Sequence, residues 1–152
     1  MNKTLNVVPF NFTSQQTSDA NIFIVGGCLS PMGDRGLKQC LCVDANMQVY
    51  DREGMNLGRF NTPLALVRDR FLILCGGQIN QDNSTNLCEA FDTETNTWFG
   101  IAPLSKPMSN TSAVVMNNRF IYLLPGTDVS SEHQAIKTDS CSIEVLDTGS
   151  SI

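Results

Sequence analysis

The chain has 152 residues, 41% of them hydrophobic and 16% charged, with a formal net charge of −5. That is material for one globular domain, with no composition shift to mark a second and too little charge for a disordered chain. The 10 Lys and Arg residues are scattered and outnumbered by 15 Asp and Glu, so no basic stripe exists and neither nucleic acid nor a membrane surface is expected as a partner.

Residues 1–20 read as an N-terminal segment, either outside the blades or part of a blade strand. Its start, MNKTLNVVPF, lacks the apolar core and small-residue cleavage site of a secretory signal. The stretch TSQQTSDA at 13–20 is too polar to read as a convincing strand. Asn21–Val25 is an apolar strand ended by Gly26-Gly27, and Cys40–Val43 is another, closed by Asp44. Tyr50 opens the next. The pattern then repeats more fully: strands at Leu64–Val67, Phe71–Cys75 (ended by Gly76-Gly77), Leu87–Phe91 (closed by Asp92) and Thr97–Ile101, which carries Trp98. Phe120–Leu124, ended by Pro125-Gly126, and Ile143–Leu146, closed by Asp147, follow in the same phase. These runs are too short for helices, so the chain reads as all-β.

The period is about fifty residues, which points to a repeat architecture. Each unit is four short antiparallel strands, a to d. The glycine pair ends strand b where φ must be positive or no Cβ fits. The aspartate and the polar residues after it make the c–d turn. The units fall at 21–60, 61–109 and 110–152, the last stopping before its outer strand.

A four-stranded unit with a glycine pair and a spaced aromatic resembles the kelch repeat of β-propellers, on Gly26, Gly27, Gly76, Gly77, Phe91-Asp92 and Trp98. The resemblance implies kelch-type blades and a structural role for Trp98 between them. It places Tyr50 where tryptophan is usual, and Val43 and Leu146 where tyrosine is preferred. Propellers close with typically about four to eight blades. Three units form a partial ring, so the expectation is missing blades from a longer chain, a truncated gene, or a homodimer that completes the ring. The isolated chain is then expected to dimerise or aggregate through its open blade faces.

In this topology the b–c and d–a loops share one face, the typical ligand face of kelch propellers. The candidate partner-binding residues by side-chain type are Met32, Asp34, Arg35, Gln78, Asn80, Asp82, Asp128, Glu132, His133 and Lys137 on b–c loops. Arg52, Arg59 and Met108 are the candidates on d–a loops. Cys40 and Cys42 share a strand face but lack zinc-site spacing, so they read as core thiols. The 6 cysteines read as reduced thiols in a cytoplasmic protein, and the sequons as chance. Copper oxidases of the propeller type resemble this fold, yet need two histidines with tyrosines, and this chain has one histidine. The expected function is a non-catalytic protein-interaction module without cofactor or metal, of cytoskeletal or ubiquitin-ligase substrate-adaptor type. Its rivals are a kelch-fold carbohydrate-active enzyme such as a sugar epimerase, and a self-assembling half-propeller.

Overall fold

The computed structural model describes residues 9–124, 143–149 and 152. Among them there are only strands, in three antiparallel sheets. Blade 1 is β1 (Thr13–Gln16), β2 (Ile22–Val25), β3 (Cys40–Val43) and β4 (Val49–Asp51). Blade 2 is β5 (Leu64–Val67), β6 (Phe71–Cys75), β7 (Cys88–Asp92) and β8 (Thr97–Ile101). Blade 3 has β9 (Ser112–Met116), β10 (Phe120–Leu124) and β11 (Glu144–Asp147). Each blade is a meander in chain order, and the first strands of successive blades lie side by side. These are blades of the β-propeller type, as the repeat implied.

Thr13–Gln16, the first half of the polar stretch at 13–20, does form the first strand of blade 1, which corrects the reading that it was too polar. The ladder Thr13↔Val25 to Gln16↔Ile22 needs only backbone groups, and the side chains alternate between half-buried and exposed. Blade 1 therefore begins at Thr13 rather than Asn21. In blade 2 the third strand runs one residue later than expected, over Cys88–Asp92.

Two cores fill the gaps between blades. Phe23, Val25, Cys40 and Cys42 of blade 1 meet Leu64, Leu72, Leu74 and Phe91 of blade 2. Ala65, Val67, Ile73, Cys75, Cys88 and Ala90 on the other face of blade 2 meet Ile121, Leu123 and Leu146 of blade 3. This is why blade 2 reads as continuous apolar runs: both its faces are covered. Trp98 lies at the first gap, its ring 5.0 Å from that of Phe91 and its Nε1 donating to the Glu53 carbonyl of blade 1 at 2.7 Å.

Tyr50 does not take the corresponding place. The c–d turn of blade 1 spans three residues between Asp44 and Gln48, whereas that of blade 2 spans four between Asp92 and Thr97. Val49, opposite Val43, therefore matches Trp98, opposite Phe91. A slip of one residue flips a strand's side chains. Tyr50 thus falls on the other sheet face, 46% exposed, with its hydroxyl donating to Asp44 at 3.2 Å.

Strong local chemistry repeats at the blade ends. The a–b turns of blades 2 and 3 place Arg68-Asp69 and Asn117-Asn118 at positive φ, within the three-residue connections from Val67 to Phe71 and from Met116 to Phe120. Arg70 and Arg119, opening strand b, each bind the aspartate that closes strand c, Asp92 and Asp147 respectively, through two nitrogens.

Candidate functional site

The loop face is built by the glycine pairs. Gly26 and Gly27 have φ of +67° and +98°, and Gly76 and Gly77 have +66° and +99°. A Cβ on Gly26 would stand 2.4 Å from the Arg59 carbonyl, and one on Gly76 the same distance from the Met108 carbonyl. Only glycine lets the d–a segment approach this closely. That approach stitches each b–c loop to a d–a loop: Gly27 donates to the Arg59 carbonyl at 3.0 Å and Gly77 to the Met108 carbonyl at 2.7 Å.

Further bonds join the loops of blades 1 and 2 into one rim. Gly36 of the first b–c loop donates to the Ile79 carbonyl of the second at 2.9 Å. Phe60 and Gln78 exchange backbone bonds of 2.9 and 2.8 Å. Asn61 donates to the carbonyl of Asn11, and Asn110 to that of Asn61, at 3.2 and 3.1 Å. All three asparagines have positive φ, which asparagine tolerates better than most residues. The sequence shows this rung as an asparagine returning about every fifty residues.

The structure divides the sequence candidates. Met32, 69% exposed, and the exposed Asp34 and Arg35 stand together on the first b–c loop, beside Leu29 at 67%. Asp82 is exposed and Asn80 half-exposed on the second. The Asn80 side chain is occupied in the loop's own turn, accepting from the backbone N–H of Asp82 and Asn83 at 3.0 and 2.9 Å. Gln78 is half-buried and accepts from Asn61 Nδ2 at 2.6 Å. Asp128, Glu132, His133 and Lys137 lie outside the described residues, as do Cys141 and the Pro125-Gly126 turn.

Two d–a candidates are inside the protein. Met108 is buried in the second core. Arg59 is fully buried, with Nη1 donating to the carbonyls of Gly76 and Leu87 at 2.8 and 2.7 Å and Nη2 paired with Glu89. Glu89 also accepts from the backbone N–H of Asn56 at 2.9 Å and Leu57 at 3.3 Å. Arg59 therefore joins blade 1 to blade 2 and is not presented to a partner. Glu144 repeats this clamp in blade 3, accepting from the Ser105 backbone and hydroxyl. Both glutamates hold the preceding d–a loop. Their shared place, second in the strand c segment, was a signal the sequence reading did not use. The third d–a candidate, Arg52, is half-buried and turns into a cleft of about 280 Å³ between blades 1 and 2, where Asp19, Asp69 and Glu94 are its charged neighbours. It is thus turned away from the loop rim.

Leu29 escaped the sequence analysis because it sits singly in a polar loop, where only tertiary placement shows that its side chain stays exposed. Among the described residues no group of three or more His, Cys, Asp or Glu is placed to hold a metal ion. No helix among them is long and apolar enough to cross a membrane.

Meanders packed face to face and stitched at one rim by glycine pairs define a β-propeller segment. The sequence profile described as the kelch motif matches residues 72–105, from strand b of blade 2 into its d–a loop. Of solved structures, one that is similar is a fungal alcohol oxidase of the AA5 family in complex with copper. Its TM-score is 0.71 at 17% identity, over 78% of this chain and 27% of that one. At that identity the likeness concerns the fold, and this chain spans about a quarter of the oxidase's length. No curated protein matches the sequence.

Proposed function

We propose that the chain is a non-catalytic protein-interaction module, which binds a protein partner through the rim of b–c and d–a loops. The observation that carries this reading is the first b–c loop: Leu29 and Met32, both about two-thirds exposed, flanked by Asp34 and Arg35. Large apolar side chains ringed by charge on a backbone-braced loop suit a protein interface. The kelch motif supports the reading, because the fold presents such loops on a rigid scaffold. The sequence has 1 histidine, and among the described residues no group of three or more His, Cys, Asp or Glu is placed to hold a metal.

The test is affinity capture with loop-rim variants. Leu29→Lys/Met32→Lys should abolish capture of a partner while leaving the melting temperature within a degree or two. Asn46→Lys, on the opposite end of blade 1, should leave capture intact. Equal capture by all three proteins would refute the reading. Copper-dependent oxidation of an alcohol by the purified chain would replace it with an enzymatic one.

A second reading rests on a different surface. The outward face of blade 3 exposes Val114, Met116, Ile143 and Val145, at 48%, 49%, 56% and 48%. The corresponding face of blade 2 is covered by blade 3, so this face is suited to receive another blade. A second copy of the chain would supply one. Light scattering should then show concentration-dependent association that Met116→Lys/Val145→Lys abolishes. A monomer at every concentration would refute self-assembly and leave the loop-rim reading untouched.

A further inference from the structure

Cys75, the last residue of β6, stands directly opposite Cys88, the first of β7. The next rung outward, Gly76 to Leu87, carries a backbone hydrogen bond of 3.1 Å. Hydrogen-bonded and non-hydrogen-bonded rungs alternate in an antiparallel ladder, so Cys75–Cys88 is a non-hydrogen-bonded pair. Such pairs have Cα atoms about 4.5 Å apart with side chains on one face, inside the separation a disulfide accepts. We infer that Cys75 and Cys88 form a dithiol that a small peroxide oxidises to a cross-strand disulfide at the base of the second b–c loop.

No other pair among the described thiols has this placement. Cys40 faces Val25 and Cys42 faces Phe23. Cys40 and Cys42 are two residues apart on one strand, with parallel side chains whose Cβ atoms stand about 6.6 Å apart, beyond the roughly 3.5–4.5 Å that a disulfide needs between Cβ atoms. Cys75 and Cys88 are 1% and 2% exposed and share the core between blades 2 and 3. The two thiols are also unequal. A hydrogen bond from the Cys75 thiol lowers Cys88 below the ordinary thiol range, and the same bond together with burial holds Cys75 well above it. The buried Arg59 guanidinium lowers both. Either sulfur can attack first and the same disulfide results; with Cys88 first the steps are these.

The chemistry balances with hydrogen peroxide as the oxidant. The Cys88 thiolate attacks one peroxide oxygen, an S–O bond forms, the O–O bond breaks, and hydroxide leaves to become water. The Cys75 sulfur then attacks the Cys88 sulfenic acid, the S–S bond forms, the S–O bond breaks, and the departing hydroxide takes the Cys75 proton as a second water. Two thiols are oxidised and one peroxide is reduced. The product ties the two ends of the loop that carries Gln78, Asn80 and Asp82.

The test is direct on the whole chain. The reduced protein is treated with stoichiometric hydrogen peroxide, unfolded, alkylated and mapped by mass spectrometry, with a parallel sample oxidised in guanidinium. The native sample should lose two hydrogens, leave four of the 6 cysteines alkylatable and yield one linked peptide pair, 75 with 88. The denatured sample should yield mixed pairings. Cys75→Ala should leave Cys88 as a sulfenic or higher acid without any linked peptide. Full alkylation of Cys75 and Cys88 after native oxidation, or a link joining other cysteines, would overturn the inference.

Discussion

Arg59 is the residue whose removal should cost most. Its guanidinium is inaccessible and makes two bonds to backbone carbonyls of 2.8 and 2.7 Å besides its pairing with Glu89, which is 4% exposed. Arg59→Met keeps the aliphatic volume but strands the Glu89 charge and leaves the Gly76 and Leu87 carbonyls without this donor. Breaking a buried pair by deleting one partner costs about 3–5 kcal/mol. Two backbone N–H groups still bond Glu89, which favours the lower end. Even that is a large share of a domain's roughly 5–15 kcal/mol. Adding Glu89→Gln removes the stranded charge, so the double variant should be more stable than Arg59→Met alone. Methionine is compatible with the site, since Met108 takes the same place against blade 3, its carbonyl meeting Gly77 as that of Arg59 meets Gly27. Urea unfolding of wild type, the two single variants and the double measures the cycle. A cost below about 1 kcal/mol for Arg59→Met, or a double variant no better than the sum of the singles, would refute the claim that this pair fastens blade 1 to blade 2.

Trp98→Ala should destabilise by about 3 kcal/mol, the low end for aromatic truncation because the ring is half-buried. Trp98→Phe should cost about 1 kcal/mol for the bond to Glu53, and denaturant midpoints check both. The Arg70 and Arg119 bonds hold Asp92 and Asp147 down at about 2, so their folded pKa lies below the unfolded value. Their contribution is complete above the ordinary carboxylate pKa and is lost as pH falls from about 4 towards 2. Arg70→Gln should flatten that decline in a urea-midpoint series against pH, and an unchanged slope would refute the assignment. Burial pushes the Cys40 thiol up to about 12, so native Cys40 should resist alkylation at pH 8 and react at once in guanidinium; fast native labelling would contradict its place in the first core.

The strands, their order and the positions of the glycine pairs were legible in the sequence because they are local. Short apolar runs between turn residues are strands wherever they pack, and a period of about fifty repeats the same solution. Blade 2 was read best because its two covered faces make every strand uniformly apolar. Thr13–Gln16 stayed undecided in the sequence because its place in the sheet rests on the backbone ladder to β2, which leaves no mark on side-chain polarity.

Tertiary structure alone decided what faces what. One residue fewer in a turn put Tyr50 on the wrong sheet face to stand in for Trp98. Arg59 looked like a loop cation, and only the meeting of two blades shows that it has a carboxylate and two carbonyls to satisfy inside the protein. Cys75 and Cys88 are thirteen positions apart in sequence, and strand register makes them neighbours. Side-chain type sets what a residue can do, but burial and register set which partner it meets, because both arise from contacts distant along the chain.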